Sequence, residues 1–574
     1  MNQNTVVREV FSGFSALGSQ SGSTVGIDNF RVLGDGSLEK REGYRQIASL
    51  RADVRGICRF VYEGVERLLA VAGKELYCIT QGEQVKSAEC FESESGEVGF
   101  FVWKDSLYIL DGKRLYLYEG ECAVSRALGY TPLYGKDWIP NDSTNNRIHE
   151  PLNYLSPYVR IQYKAEAPIE SLFFDVNFTS VSWVRLNGRL LRASEYSALA
   201  QYDTIHFQES VYGEIEVCLT LAENYYEDSR FCSCTAASVY EDFENGRVFL
   251  YGGAEPCVLF VSEWVDAAAL ATDKARFSKS CGLYFPKTFS FSFGSGEPIT
   301  AVQRIYDRMM IFFPSSLWIT SEIQGDKVTK PSFLPICHHM GCSASGAVLM
   351  TGAAAPVTVA HNGIYRWRID KDLKEECVLT QLSERIRPLL NEAFFSSACV
   401  CPNRIRDEIW FCSPHDEKGR VFLYHPLRET WYCYGGIAAD RLFDFGGGIG
   451  FTRGGKVFLF DERLSTDLLA EGERKIEASY ESGWLDFGDV GTDKRLMGAL
   501  LTAELGEGEL ALTWEDGGLL GEVSFCCEDA AAPDLYEARM PTGRFRVAKL
   551  TLTARGAHRQ RIYRAELLAQ KGKS

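Results

Sequence analysis

The sequence shows no pattern typical of the segments that direct a protein into or across a membrane. Its first residues, MNQNTVVREVFSGFSALG, contain no basic stretch followed by a long apolar run, so we expect no signal peptide. No window approaches the roughly 18 uninterrupted apolar residues that a transmembrane helix requires. These absences predict a soluble protein that is made in the cytoplasm and has no membrane partner.

The sequence also lacks the common motifs of catalysis and metal binding. None of the 8 histidines lies in a Gly-x-Ser-x-Gly or His-Glu-x-x-His context, and no two of the 18 cysteines form a CxxC pair. The stretch CHHMGC (337–342) carries suitable ligand atoms, but a zinc site needs a second pair, which only the CxC pairs Cys232/Cys234 and Cys399/Cys401 would supply. We therefore expect no catalytic residues, no metal and no cofactor, with most cysteines reduced and buried.

Positive charge is in deficit. The chain has 61 Lys and Arg against 77 Asp and Glu, a net charge of −16. This balance argues against a protein that grips nucleic acid by neutralising phosphates. It is compatible with a surface along which DNA slides without adhering.

The carboxy terminus is the exception, because it is basic. Arg544, Arg546, Arg559 and Arg561 form two pairs with a spacing of two residues, which places each pair on one face of a predicted strand. They are a possible docking face for an acidic partner or a neighbouring copy of the chain. The alternative is an exposed face that balances acids elsewhere in the fold.

Short apolar runs joined by tight turns are abundant. The segment 54–80 predicts three strands with turns at Glu63-Gly64 and Gly73-Lys74, and 97–120 repeats this plan about forty residues later. Strand triplets repeated at this period are typical of propeller blades, and about seven are present. Helical runs are few, the best being around 192–200 and 380–393. The candidate blades are 54–80, 97–120, 246–264, 299–321, 346–368, 407–434 and 441–462.

Two segments interrupt the repeats, which predicts an all-β fold of several domains. Residues 129–228 open with a polar loop and continue with alternating strands around an Asn187-Gly188 turn, so we predict a small inserted β domain. Residues 473–574 alternate clearly and predict a carboxy-terminal β-sandwich. The predicted fold class is thus a β-propeller of about seven blades with an insert and a sandwich, and a sandwich of unrelated hairpins is the alternative to the propeller. The predicted domains are an amino-terminal arm or hairpin contributing to the propeller (1–50), propeller blades (51–128), the insert (129–228), further blades (229–472) and the sandwich (473–574).

The stretch DNFRVLGDGSLEKREGYRQI (28–47) resembles the amino-terminal signature of a family of tailed-phage virion proteins. These are the propeller-bearing tail hub or nozzle proteins of short-tailed phages, including packaged-DNA stabilisation proteins at the head-tail connector. In that family an Asn-x-Arg stretch precedes a Gly-containing turn and then Leu-x-Lys-Arg-Pro-Gly-Tyr/Phe. Here Glu42 replaces the usual Pro. The matching positions are Asn29, Arg31, Gly36, Leu38, Lys40, Arg41, Gly43 and Tyr44.

Four further stretches resemble the family in the same order, and together they cover most of the chain. GRVFLYGGAEPCVLFVSEW and MGCSASGAVLMTGAAAPVTVAHNGIYRW are similar to two of its blades, and the second gives Cys342 a structural place. HEPLNYLSPYVRIQYKA is similar to its insert domain, and YESGWLDFGDVGTDKRL to the entry of its final domain.

The resemblance implies a structural virion protein of the tail, assembled in the host cytoplasm, rather than an enzyme. Its copies form a ring, usually a hexamer, below the portal. The expected partners are the chain itself, portal or adaptor ring proteins, other tail proteins, and genomic DNA that passes through without sequence-specific binding during packaging and ejection.

Two other functions stay open at this point. A propeller that recognises a receptor or host glycan would use exposed loop aromatics, for which Tyr134, Trp138, Tyr225 and Tyr226 are candidates. A propeller hydrolase would need converging acids in a central pocket, and 77 acidic residues make any one pair uninformative.

Overall fold

The computed structural model describes most of the chain, and within the described residues the fold is all-β. The strands form ten sheets in which nearly all pairings are antiparallel. No helix in this part of the chain is both long and apolar enough to cross a membrane. The described residues are 4–9, 24–80, 85–137, 148–222, 225, 228–241, 246–263, 283–294, 296–321, 331–351, 355–369, 377–506, 508–516, 519–527, 533–539 and 544–571.

Five strands come from the amino-terminal end, and they enter three different sheets. We call residues 24–49 the amino-terminal segment. The strands are β1 (Asn4–Glu9), β2 (Thr24–Asp28), β3 (Phe30–Val32), β4 (Leu38–Lys40) and β5 (Gly43–Ser49).

Six of the described sheets share one plan, in which four consecutive strands pair antiparallel, and a seventh follows this plan for its first three strands. We number these seven sheets repeat sheets 1 to 7 in chain order. Repeat sheet 1 is β6 (Val54–Tyr62), β7 (Val65–Ala72), β8 (Glu75–Thr80) and β9 (Val85–Glu89), and repeat sheet 2 is β10 (Gly99–Trp103), β11 (Ser106–Leu110), β12 (Leu115–Gly120) and β13 (Ala123–Arg126).

A sheet with much longer strands follows repeat sheet 2, and we call it the long-strand sheet. Its two longest strands, β15 and β19, pair antiparallel along most of their length. It consists of β14 (Leu133–Gly135), β15 (Tyr158–Phe173), β16 (Phe178–Leu186), β17 (Arg189–Leu190), β18 (Tyr196–Leu199) and β19 (Thr204–Leu221).

Repeat sheets 3 to 6 continue the four-strand plan. They are, in order, β20 (Ala236–Glu241), β21 (Gly246–Tyr251), β22 (Val258–Val261) and β23 (Ser290–Ser292); β24 (Ala301–Ile305), β25 (Arg308–Phe312), β26 (Leu317–Thr320) and β27 (Phe333–Cys337); β28 (Val348–Thr351), β29 (Ala355–Ala360), β30 (Gly363–Arg368) and β31 (Val378–Gln381); β32 (Cys399–Asn403), β33 (Glu408–Cys412), β34 (Val421–His425) and β35 (Thr430–Tyr434).

Repeat sheet 7 obtains its fourth strand from the other end of the chain. β5 pairs antiparallel with β38 and also contacts β39 in parallel, so the strand order is β36-β37-β38-β5-β39-β40. The strands from the later part of the chain are β36 (Arg441–Phe445), β37 (Gly448–Arg453), β38 (Lys456–Asp461), β39 (Thr466–Leu469) and β40 (Gly472–Lys475).

The last two sheets, which we call the terminal sheets, combine strands from both ends of the chain. One has the order β2-β41-β46-β43-β44, and the other has the order β3-β4-β47-β42-β45 with β1 also pairing with β47. The remaining strands are β41 (Ala478–Ser482), β42 (Lys494–Glu504), β43 (Gly508–Asp516), β44 (Leu519–Cys527), β45 (Asp534–Arg539), β46 (Lys549–Gly556) and β47 (Arg561–Lys571).

Tight turns join the strands as the sequence predicts. Glu63 and Gly64 both have positive φ (51° and 76°), as do Asn187 and Gly188 (49° and 80°), which is the backbone of a two-residue hairpin turn. The turn between β29 and β30 consists of His361 and Asn362, because Ala360 pairs with Gly363.

Helices are short, and one of the two predicted helical runs is wrong. Within 192–200, Tyr196–Leu199 is strand β18, which pairs with β19. Backbone pairing with β19 outweighs the local helix preference there. The run 380–393 is partly helical. The described residues include the helices α1 (Ser229–Cys232) and α2 (Glu392–Ser397), with 3-10 turns at Ala200–Tyr202 and Glu384–Leu389.

Neighbouring repeat sheets are joined by shared apolar cores. Leu69 and Tyr116 belong to one core, which lies between repeat sheets 1 and 2. Val248 belongs to the next core, which joins repeat sheet 3 to repeat sheet 2. Repeat sheet 7 shares a core with repeat sheet 1, in which Phe443 packs with Leu68. The cores therefore connect the last repeat sheet to the first.

Candidate functional site

The amino-terminal segment is built into the protein rather than lying on it. Its strand β2 pairs with β41, β4 pairs with β47, and β5 pairs with β38. These three partners lie in the two terminal sheets and in repeat sheet 7. The segment therefore connects three sheets that the rest of the chain forms more than four hundred residues later.

Asn29 and Arg41 form the centre of this junction. Asn29 has a positive φ of 56°, and its side-chain oxygen accepts hydrogen bonds from Arg41 Nε (2.8 Å) and from the backbone N–H of Gly435 (3.1 Å). Its Nδ2 donates to the backbone oxygen of Glu477 at 2.9 Å. Arg41 makes a two-pronged ion pair with Asp467, at 2.8 and 3.0 Å, and both side chains are about 2% exposed or less. Asn29 and Arg41 thus bind Asp467 of repeat sheet 7 and two backbone groups, Gly435 just after β35 and Glu477 close to repeat sheet 7.

Two further buried ion pairs flank Arg41. Arg31 Nη2 lies 2.5 Å from a carboxylate oxygen of Glu408, whose other oxygen accepts from Trp410 Nε1 at 3.0 Å. Glu42 accepts a hydrogen bond from Arg406 at 2.7 Å. Burial alone would raise the pKa of the Glu42 carboxyl, but the guanidinium groups of Arg406 and Arg31 outweigh it and lower that pKa. Glu42, which departs from the family pattern, is therefore held as a charged partner.

Lys40 places a second basic side chain in the interior. It is fully buried, and its Nζ donates to the backbone oxygen of Gly556 at 2.8 Å. Burial, followed by the nearby charge of Arg41, lowers the pKa of the Lys40 ammonium to about 8, and Asp467 opposes that shift. A lysine with one backbone acceptor thus fastens β4 to the end of β46.

The apolar and small signature residues fit the same junction. Leu38 and Tyr44 are fully buried, and the Tyr44 hydroxyl accepts from Arg474 at 2.6 Å. Gly36 has a φ of 82° and closes the turn between β3 and β4. At Gly43 a Cβ atom would lie 1.8 Å from the backbone oxygen of Thr466, so only glycine fits between β38 and β39. The signature residues therefore converge on one structural site.

An open cleft of about 440 Å³ adjoins this network. Its lining includes the aromatic residues Trp410 and Phe460 and the glycines at 446–448. Glu42, Arg406, Asp461 and Glu462 are among its charged lining residues. The charges of both signs are mostly paired with each other, as in the 2.7 Å contact of Arg406 with Glu462.

The four carboxy-terminal arginines do not form one free surface. Arg559 pairs with Glu39 at 2.6 Å and Arg561 pairs with Asp35 at 2.5 Å, so both bind the amino-terminal segment of the same chain. Arg546 is exposed and lies 3.5 Å from Asp493, and Arg544 is exposed. Only Arg561 lies in a strand, so the prediction that each pair occupies one strand face is wrong. Phe545, between Arg544 and Arg546, forms only an isolated bridge, and residues 557–560 are bends and loop rather than strand.

The other candidate residues lie apart from this network. Cys342 is fully buried and donates to the backbone oxygen of Ala344, and burial raises the pKa of its thiol to about 12. Among the described residues, no three His, Cys, Asp or Glu side chains are grouped so that they could hold a metal ion. Tyr134 and Tyr225 pack against the core of the long-strand sheet, while Trp138 and Tyr226 lie outside the described residues.

Sequence reasoning missed the acidic half of the network. Asp467 and Glu408 lie more than 370 positions after their arginine partners, and no local pattern links them. Arg55 was missed as well. Its guanidinium donates to five backbone oxygens between repeat sheets 1 and 2, at Gly73, Ser93, Ser95, Gly96 and Asp111. The charged stretch RIRDE at 404–408, which contains Arg406 and Glu408, is a local signal for this part of the network.

Comparison with known proteins adds no relative to this description. No protein-family model matches the chain, and no curated protein matches it at a meaningful level of similarity.

Proposed function

We propose that the protein is a structural component of a phage tail, a nozzle or hub below the portal. Its copies form a ring that conducts or retains the DNA genome during packaging and ejection. The observation that carries the proposal is the convergence of the signature residues. Asn29, Arg31, Arg41, Gly43 and Tyr44 resemble a virion family in sequence, and each makes or permits a contact in one buried junction.

A propeller of seven blades is the architecture that we propose for repeat sheets 1 to 7. Support comes from the four-strand plan of repeat sheets 1 to 6 and from the apolar core that joins repeat sheet 7 to repeat sheet 1. β5 completes repeat sheet 7 with a strand from the amino terminus, as expected where a circular array must be closed. The long-strand sheet would then be the insert and the terminal sheets a sandwich.

The charge balance supports a conduit rather than a DNA-binding protein. A net charge of −16 gives DNA little to adhere to, because affinity for duplex DNA depends on neutralising phosphates. Many arginines of this chain are committed to ion pairs inside it, including Arg31, Arg41 and Arg406. Their charge is therefore unavailable to a nucleic acid.

The direct test is electron microscopy and native mass spectrometry of the purified chain, alone and mixed with the portal protein encoded in the same genome. We expect rings of about six subunits with an open centre when the portal is present. The matched control is the same mixture with a portal from an unrelated phage, which should not recruit the chain.

A chain that stays monomeric with its portal would contradict the ring. Tight binding of the monomer to duplex DNA at physiological salt would contradict the conduit surface separately. A glycan array with specific hits, together with a monomer, would instead favour a receptor-binding tail protein.

A further inference from the structure

Two cysteines face each other at the start of repeat sheet 6. Cys399 in β32 and Cys412 in β33 are directly opposite in the antiparallel register. The Cα atoms of such opposite residues lie about 4.5 or 5.5 Å apart, depending on the type of pair. Both separations fall inside the range of about 4.4–6.8 Å that disulfides span. The strands therefore already hold these two residues at a distance that a disulfide can bridge.

The surroundings of the two thiols differ in a way that separates their chemistry. Cys399 is partly exposed, and its sulfur accepts a hydrogen bond from the backbone N–H of Leu442 at 3.4 Å. The hydrogen bond from the Cys412 thiol has the largest effect on the pKa of Cys399. It outweighs the opposing effect of partial burial and lowers that pKa to about 7. The pKa of Cys412, which is fully buried, is raised by the same hydrogen bond and by burial.

Cys401 offers an internal comparison, because it lies on the same face of β32. It is opposite Trp410 rather than a cysteine, and burial raises the pKa of its thiol. Cys401 has neither an opposite thiol nor a raised thiolate fraction. The register thus selects Cys412, and not Cys401, as the partner of Cys399.

We propose that Cys399 is a peroxide-reactive thiol that forms an intramolecular disulfide with Cys412. The Cys399 thiolate attacks one oxygen of hydrogen peroxide, the O–O bond breaks, hydroxide leaves and Cys399 becomes a sulfenic acid. The Cys412 sulfur then attacks the Cys399 sulfur, the S–O bond breaks, and the Cys412 proton leaves with that oxygen as water. Two thiols lose two electrons in total, and the peroxide gains them. The product ties the first two strands of repeat sheet 6 together.

Peptide mapping of the full chain tests this assignment. The wild-type protein is treated with hydrogen peroxide, its remaining thiols are alkylated, and it is digested with trypsin without reduction. Cys399 and Cys401 share the tryptic peptide 386–404, while Cys412 lies on 407–418. We expect a disulfide-linked pair of these two peptides. Fragmentation should place the bond at Cys399 rather than Cys401, and reduction with dithiothreitol should separate the two peptides.

Three variants sharpen the result. Cys399→Ser should abolish the linked pair, Cys401→Ser should leave it unchanged, and Cys412→Ser should leave a sulfenic acid at Cys399 that dimedone traps. A linked pair that persists in Cys399→Ser, or is lost only in Cys401→Ser, would overturn the proposal. So would a wild-type chain in which peptide 386–404 stays fully alkylated while other cysteines are oxidised, a result that needs no variant to fold.

Discussion

The amino-terminal segment and the long-strand sheet are anchored in opposite ways. The long-strand sheet has an apolar core of its own, with Ile161 and Val217 fully buried among its own strands. The amino-terminal segment has none, and its buried residues belong to cores built by later parts of the chain, such as Tyr44 in the largest core. It is held by ion pairs and strand pairings from three sheets. A region that buries its own apolar side chains can be stable without the rest of the chain. A segment that has no core of its own depends for its stability on partners elsewhere in the chain, including specific polar ones.

Removing the carboxylate of Asp467 should cause the largest loss of stability in the amino-terminal segment. Asp467→Ala leaves the Arg41 guanidinium buried without its partner, and we expect the free energy of unfolding to fall by about 3–5 kcal/mol. Urea unfolding followed by fluorescence measures the loss. Asp493→Ala is the matched control, because its partner Arg546 is exposed and such pairs are worth at most about 1 kcal/mol. Equal losses in the two variants would show that burial does not distinguish the pairs.

A cavity in the long-strand sheet should act locally. Ile161→Ala removes a fully buried side chain, so we expect a loss of about 2–5 kcal/mol, confined to that sheet. Hydrogen exchange with mass spectrometry should show faster exchange in 158–221 and unchanged exchange in 24–49.

Ile562→Ala is the matched variant for that experiment. Ile562 is also fully buried, but it lies opposite Leu38 of the amino-terminal segment. It should therefore accelerate exchange in 24–49. The same exchange pattern in both variants would contradict the proposed independence of the long-strand sheet.

Lys40 makes the stability of the junction depend on pH. Its pKa is about 8 in the folded protein against an ordinary 10.5, so between these values the unfolded chain binds more protons. Stability then rises with pH, and the wild type should gain on the order of 3 kcal/mol over Lys40→Met across that window. Urea unfolding of both proteins at several pH values from 7 to 11 measures the difference. If the free energies of unfolding of the two proteins change in parallel with pH, the pKa of Lys40 is not lowered in the folded protein.

A substitution at Gly43 should cause the smallest loss of stability among these variants. In Gly43→Ala the new methyl group would meet the Thr466 carbonyl, so β5 must shift between β38 and β39, at a cost of about 1–3 kcal/mol. Thermal unfolding measures the change. Gly491→Ala is the control, because its nearest neighbour is a side-chain oxygen at 3.5 Å and it should leave stability nearly unchanged.

The apolar strand triplets of the repeat sheets could be predicted from the sequence, whereas most of their fourth strands could not. Repeat sheet 6 is an exception, because the predicted blade 407–434 contains its fourth strand β35. The triplets are apolar runs between turn residues, and burial enforces that pattern. The outer strands β9 and β31 are mostly exposed, so their sequences carry no such alternation. The basic residues of the candidate site were recognisable in one stretch, but Asp467 and Glu408 were not, since only the folded chain brings them near Arg41 and Arg31.

The position of β5 sets a delay in the synthesis of this protein. Tyr44 leaves the ribosome early, but its partner Phe460 follows about 400 residues later. At roughly 5–20 residues per second, translation of that stretch takes about 20–80 s. During this time Gly43–Ser49 is an unpaired strand with apolar side chains, which is the kind of segment that associates wrongly. Depleting ribosome-bound chaperones in the expressing cells should therefore lower the yield of soluble chain. That loss should be larger than the loss caused by slowing translation at positions outside the stretch between β5 and β38.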